Sequence, residues 1–303
     1  MHPDWKKTIR WQMKSDEIIG LADYPRRHAQ QAASPFRYPG GKGFLTGLLA
    51  SEAKRRLVGD DRRYAEPFCG GAGAALNLLF DSTASQIALN DFDVRIYSAW
   101  HAIVNETDRF IDRIRSTPVT VETWRKMREV VEATSSSYDF DLGFATYFLN
   151  RTSTAGIVLG SGPIGGYDQA GKWKIDVRYY PESMIRRITW IGSKRDLISV
   201  SCLTAHEFLR GEVSKGKAEN TFYFVDPPYI EAGSKLYLNA MDLPQHRSLA
   251  ELLRSGLLPH WLLTYDDDPY VRNIYDGCDI RQLEVNYSLR RTRKAQELII
   301  QAA

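Results

Sequence analysis

Asp226-Pro227-Pro228-Tyr229 follows the apolar run Thr221-Phe222-Tyr223-Phe224-Val225 without a break. Two successive prolines fix the backbone and remove two N–H donors. The turn is therefore rich in acceptors, namely the Asp226 carboxylate and the Pro227 carbonyl, and Tyr229 adds a flat π-face. Two acceptors beside an aromatic plate suit an exocyclic amino group on a planar base, so Asp226, Pro227 and Tyr229 are the candidate catalytic residues. The plainer reading is a tight turn that ends a strand. A second constellation is the turn Phe68-Cys69-Gly70-Gly71-Ala72-Gly73 after Tyr64-Ala65-Glu66-Pro67. Glycines after a first strand let the backbone approach a ligand and let the next helix pack on the sheet. Asp91 closes the following run, Gln86-Ile87-Ala88-Leu89-Asn90, and a carboxylate there can accept hydrogen bonds from a ribose diol. This pair points to a nucleoside-containing cofactor. Gly73 is followed by Ala-Ala-Leu, which departs from Gly-x-Gly-x-x-Gly and argues against a nicotinamide dinucleotide. The third constellation, Tyr38-Pro39-Gly40-Gly41-Lys42, sets an aromatic and a cation on one loop. By residue type alone it is either an entry loop with a solvated lysine or a pair aimed at a cofactor.

The elements that must position these residues follow from apolar spacing and punctuation. A helical pattern runs from Phe44 to Arg56, a short strand covers residues 64–68, and a helix begins at Ala74. A second strand over residues 86–91 and a helix over 93–104 complete a strand, Gly-rich turn, helix, strand and acid, the start of a doubly wound α/β fold. The alternation then stops. Residues 107–195 hold helical stretches at 121–133 and 141–150 and a Gly-rich, basic and aromatic stretch from Gly156 to Tyr180. Strands resume at 197–202, 221–225 and 260–265, with helices at 246–256 and from Asp268-Pro269 onward. Residues 279–286 and 297–301 pair as a final antiparallel unit. The expected division is an extension over 1–34, partly helical, a catalytic domain over 35–106 and 196–303, and a target-recognition domain inserted at 107–195.

Composition narrows the function classes. The 303 residues are 43 % hydrophobic, 12 % aromatic and 25 % charged, the balance of a globular protein rather than a disordered one. No apolar run reaches the ~20 residues of a membrane helix, and no apolar segment follows Met1-His-Pro-Asp-Trp-Lys-Lys, so the expectation is a cytoplasmic protein with no membrane partner. A net charge of +3 permits a polyanionic partner without requiring one. Cys69, Cys202 and Cys278 lie far apart and the six histidines lack ligand spacing, so neither a disulfide framework nor a metal site is expected. No Ser/His/Asp or Cys/His arrangement is found.

The three constellations, in this order, resemble the Dam-type class of adenine-N6 DNA methyltransferases. That pattern runs from an aromatic-x-Gly-Gly-Lys loop through Glu-Pro-Phe-x-Gly-x-Gly, an acid after the second strand and a target-recognition insert to Asp-Pro-Pro-Tyr. This chain carries Tyr38–Lys42, Glu66–Gly73, Asp91 and Asp226–Tyr229, with Asn150-Arg151-Thr152 similar to the Asn-Arg that opens the family's recognition segment. The stretches Lys235-Leu236-Tyr237, Trp261–Asp266 and Asn286-Tyr287-Ser288 also look like that family, and the resemblance spans residues 35–302. The chain departs after Asn150-Arg151, where Thr154-Ala155-Gly156 and Gly171-Lys172-Trp173-Lys174-Ile175 stand, and the target sequence is not legible there.

The resemblance implies a Rossmann-like S-adenosylmethionine methyltransferase sheet with an inserted, mainly helical target-recognition domain. It implies S-adenosylmethionine as methyl donor, held by Tyr38, Lys42, Phe68, Gly70, Gly71 and Asp91, with Asp226 between donor and base. The acceptor it implies is adenine N6 in double-stranded DNA, reached by base flipping. Asn150, Arg151, Lys172, Lys174 and Arg178, together with Arg290, Arg291 and Arg293 in a hairpin-like turn, are the expected DNA contacts, and Arg186, Arg187, Lys194 and Arg195 form a further basic stretch. A monomer is expected, and a cognate restriction nuclease, as in restriction-modification, is an open partner. Three alternatives stay open: a silent DNA- or partner-binding protein on this fold, an RNA-adenine methyltransferase and a cytosine-N4 methyltransferase.

Overall fold

A computed structural model describes residues 18–19, 34–37, 42–133, 135–230, 241–288 and 292–302. Its centre is an eight-stranded sheet in the order β1-β7-β8-β6-β5-β2-β3-β4. The strands are β1 Ile18–Ile19, β2 Arg63–Glu66, β3 Gln86–Asn90, β4 Ile198–Ser201, β5 Thr221–Val225, β6 Trp261–Asp266, β7 Asp279–Ser288 and β8 Thr292–Gln301. From β4 to β6 every pairing is parallel, whereas β8 lies antiparallel between β6 and β7. The fold is α/β and Rossmann-like.

The sequence explains why the central strands are central. Every residue of β5, Thr-Phe-Tyr-Phe-Val, is buried, as is every residue of β2. The continuous apolar run of β5 suits a parallel strand covered on both faces. Two apolar clusters supply that cover, one with Leu45, Trp100, Tyr147 and Phe222, the other with Tyr223, Leu253, Leu263 and Tyr265.

The chain winds outward from β2 through β3 to β4, then crosses back to β5 and on to β6. The strand order thus reverses between β2 and β5. In open α/β sheets the crevice beyond the carboxyl ends at such a reversal is where ligands bind. Glu66 and Val225, the last residues of β2 and β5, lead into the Gly-rich turn and into Asp226.

Between β3 and β4 lie α3 Val94–Asn105, α4 Thr107–Ser116, α5 Val121–Ala133, α6 Phe140–Thr152 and α7 Pro181–Gly192. Among the described residues of 107–195 there is no strand, only an isolated bridge between Ser153 and Pro163. Helix α6 is buried from Leu142 to Thr152, as a helix enclosed by neighbours is. It packs against α3 closely enough that a Cβ at Gly143 would lie 2.5 Å from the Ser98 carbonyl oxygen. Trp100 of α3 and Phe144, Tyr147 and Phe148 of α6 share one apolar cluster. The insert is therefore a further layer of the same core.

The extension was expected to be partly helical. Of its described residues, Ile18, Ile19 and Ser34, the first two pair in parallel with Gln282 and Leu283 as an edge strand. The antiparallel end unit forms as read, over Asp279–Ser288 and Thr292–Gln301. Among the described residues no helix is long and apolar enough to cross a membrane.

Candidate active site

Asp226 lies one residue beyond β5, and its Oδ1 is held three ways. Thr264 Oγ1 on the adjacent β6 donates at 2.6 Å, Tyr229 OH at 3.3 Å, and the Lys42 ammonium stands at 3.2 Å. Oδ2 has no partner among the described residues. Lys42 also donates to Tyr229 OH at 2.6 Å and reaches Glu297 Oε1 of β8 at 3.4 Å. Its Nζ sits 4.9 Å from the Tyr229 ring centre, within cation–π range. One buried ammonium thus orients the carboxylate and the aromatic plate together. Tyr229 is backed by Tyr265, with ring centroids 5.9 Å apart, and the Tyr265 hydroxyl is bonded to the buried His246 ring. The sequence assigned no role to Thr264 or Glu297. Their signal is sheet register, Val225 pairing with Leu263 and Asp266 with Glu297, and the sequence does not state strand order.

The Gly-rich turn is fixed from behind. Gly70 adopts φ 43° and Ala72 φ 46°, both left-handed, which glycine takes freely and alanine at a cost. Trp100 Nε1 donates to the Gly70 carbonyl at 2.7 Å, and the Asn90 amide donates to the Pro67 carbonyl at 2.9 Å. Asp91 Oδ2 accepts from Gly70 N at 2.9 Å and Oδ1 from Asp93 N at 3.0 Å. Each oxygen keeps acceptor capacity, so Asp91 fits a vicinal diol. Burial first, and then the neighbouring Asp93, pushes the Asp91 carboxyl up to about 7. Phe68 is half-buried against the second apolar cluster, and Gly70 and Gly71 are buried in the turn.

Glu66 belongs to a quoted motif, yet no role was assigned to it. Ala72, the residue before helix α2 (Gly73–Phe80), offers no side-chain acceptor to that helix. Glu66 Oε1 supplies it, accepting from Ala75 N at 3.2 Å and from Tyr64 OH at 3.0 Å. This satisfies a helix-start donor that would otherwise be orphaned. Burial, with a smaller contribution from Asp226, pushes the Glu66 carboxyl up to about 8.

Two expected DNA contacts require correction. Asn150 is 1 % exposed. Its amide accepts from Arg37 N at 2.7 Å and donates to the Arg37 and Gly156 carbonyls, each at 2.9 Å. Arg151 is 8 % exposed, and its Nε donates to the Arg178 carbonyl at 2.9 Å and its Nη1 to the Pro35 carbonyl at 3.4 Å. Both side chains point inward because they bind the segment 34–37 to the insert. That segment is wedged by Phe36, whose ring lies 5.2 Å from Trp100 and 5.4 Å from Tyr147. Gly156 meets it so closely that a Cβ there would lie 2.3 Å from the Arg37 carbonyl oxygen. The insert therefore anchors the approach to Lys42.

Lys172, Lys174 and Arg178 are exposed. They alternate with exposed Trp173 and Tyr180 on a loop that Gln169 ties together through Ile164, Gly166 and Ile175. Tyr38, Arg290 and Arg291 lie outside the described residues, as do Pro39–Gly41 and residues 235–237. Of Arg293 only the backbone, within β8, is described.

Comparison with known proteins supplies the family. Structures of the rRNA methyltransferase aviRa from Streptomyces viridochromogenes, at 2.4 and 1.5 Å, share 15 % identity with this chain. The first covers 94 % of this chain and 93 % of that one at a TM-score of 0.38; the second covers 91 % and 93 % at 0.40. No curated protein matches the sequence at the significance required. The model of D12 class N6 adenine-specific DNA methyltransferases, however, matches residues 38–289, a span that takes in the Lys42 loop, the Gly-rich turn, Asp91, the insert and the Asp226 turn. With these elements gathered at one strand reversal and matched along one continuous span, the chain belongs to the D12 class of N6 adenine-specific DNA methyltransferases.

Proposed function

We propose that the protein transfers a methyl group from S-adenosylmethionine to N6 of an adenine rotated out of duplex DNA. The observation that carries this reading is the junction of two half-sites. The Gly-rich turn and Asp91 follow β2 and β3, and Asp226 follows β5, at the reversal where the sheet opens a crevice. Asp91 would hold the donor's ribose hydroxyls, the turn from Phe68 to Gly73 would pass beneath its methionine part, and Lys42 and Tyr38 would border it. When bound, the donor supplies an electrophilic sulfonium methyl.

The residues act on the base. The adenine N6 lone pair is delocalised into the ring and is a poor nucleophile. Asp226 Oδ2 and the Pro227 carbonyl accept the two N6 hydrogens, which favours a pyramidal nitrogen with its lone pair aimed at the methyl. Oδ1, fixed by Thr264, Tyr229 and Lys42, prevents the carboxylate from turning away. Such preorganised acceptors stabilise the charge that develops on N6 as its new bond to the methyl carbon forms and the carbon–sulfur bond breaks to leave a neutral thioether, and N6 then loses one of its hydrogens as a proton. They also set the in-line geometry. Tyr229 offers its face to the extruded base, a contact worth roughly 1–3 kcal/mol against the cost of unstacking.

Incubation of the protein with radiolabelled S-adenosylmethionine and mixed genomic DNA, followed by digestion to nucleosides, tests this. Labelled N6-methyladenine is expected. Label on RNA alone, on cytosine, or on no nucleic acid despite donor binding overturns it.

A further inference from the structure

Four arginines from separate parts of the chain gather around the segment 34–37. Arg37 Nη1 donates to the carbonyls of Arg151 and Ser153, at 3.5 and 3.3 Å. Arg151 donates to those of Arg178 and Pro35, and Arg187 Nη1 of α7 donates to that of Ser34 at 3.3 Å. Arg178 offers its own carbonyl to Arg151 and leaves its side chain exposed. Every hydrogen bond from these guanidiniums ends on a neutral main-chain oxygen, and among the described residues none has a carboxylate partner.

Charges so placed repel one another, and burial removes the water that would screen them. Burial first, and then the charges of Arg151 and Arg178, lowers the Arg37 guanidinium from its usual range. Arg151 is lowered chiefly by burial, with Arg187 and Arg178 contributing. A nine-tenths buried cation among cations lacks its counter-charge. The cluster also borders the crevice, since Ser34 Cβ is 4.0 Å from where a Gly73 side chain would begin.

We propose that Arg37, Arg178 and Arg187, with Arg151 as the buried charge behind them, form a phosphodiester site that grips the substrate strand where it passes the Gly-rich turn. This rests on the proposed action on DNA. The forked guanidinium matches phosphate oxygens bidentately. A nucleic-acid strand is favoured over the donor's carboxylate because Arg178 continues into the exposed loop of Lys172, Trp173, Lys174 and Tyr180. The site positions the strand and reads no base.

The test is the salt dependence of binding to a fluorescein-labelled, mixed-sequence duplex. Each phosphate contact contributes about 0.9 to the slope of log affinity against log salt. Arg178→Gln and Arg187→Gln should each make the slope shallower by about 0.9, with the double variant losing about twice that. Arg178→Lys should keep the slope, and Arg55→Gln, on the exposed face of helix Thr46–Arg56, should leave it at the wild-type value. Arg178→Gln removes no described hydrogen bond, so its melting temperature and donor affinity should be unchanged. Unchanged slopes in both single variants overturn the proposal, as does lost donor affinity at constant slope, which would assign the cluster to the donor's carboxylate. Label transfer by the wild type is scored separately. Its failure sinks the reading of function, while the slopes still decide the cluster.

Discussion

At the carboxyl ends of β2, β3 and β5 polar side chains converge with acceptor capacity left over. Asp226 fills one oxygen with Thr264, Tyr229 and Lys42, and Asp91 gives each oxygen a single backbone donor. In the insert the polar pair singled out by sequence is spent internally, Asn150 on Arg37 and Gly156, Arg151 on Arg178 and Pro35. Both pairs lie in recognisable motifs. Spare hydrogen-bonding capacity therefore separates a side chain able to take a ligand from one spent on holding the chain.

The largest expected effect breaks the first region chemically while leaving it folded. Asp226→Ala should retain donor binding and lose transfer by ~10²-fold or more, read as single-turnover rate beside donor affinity. Near-wild-type transfer would remove Asp226 from the chemistry. The second region should fail by a different route. Asn150→Ala strands the amide and carbonyl of Arg37, so urea unfolding should show a loss of about 2–4 kcal/mol. An unchanged midpoint with weakened DNA binding would return Asn150 to the DNA contacts.

A pH series sharpens the contrast. Glu66, pushed up to about 8 from 4.5 by burial, keeps in the folded state a proton that the unfolded chain releases. Between those values the folded state binds more protons, so stability falls as pH rises, by up to about 1.4 kcal/mol per pH unit from this group. Its contribution is fully present below 4.5 and is lost as pH rises through about 8. Urea midpoints measured across that window should decline for the wild type and flatten in Glu66→Gln. The remaining slope combines Asp91, pushed up to about 7, with His101, His206, His246 and His260, whose imidazoles are lowered by burial and act in the opposite direction. Equal slopes would show that Glu66 is ionised when folded. Smallest of all, Lys172→Gln should shift stability by no more than ~0.5 kcal/mol while weakening duplex binding.

The strands and site motifs were legible where information is contiguous. The run Thr221–Val225 is apolar throughout and ends on Asp226, and the Gly-rich turn sits between strand and helix, so local pattern sufficed. Thr264 and Glu297 were not legible, because each reaches the site through its neighbour in the sheet and β8 enters out of chain order. Asn150 and Arg151 were located but misread. Their residue types suit nucleic acid, and only the approach of residues 34–37, more than a hundred positions away, turns them inward.

The insertion of β8 between β6 and β7 also sets a schedule for synthesis. Until residues 292–301 have left the ribosome, β6 has an unpaired edge and β7 has no neighbour on that side. Lys42, made some 250 residues earlier, must wait for Glu297. A nascent chain paused before β8 carries both halves of the crevice but exposes a strand edge able to recruit other chains. Competence for catalysis and protection from aggregation then arrive together, with one late hairpin.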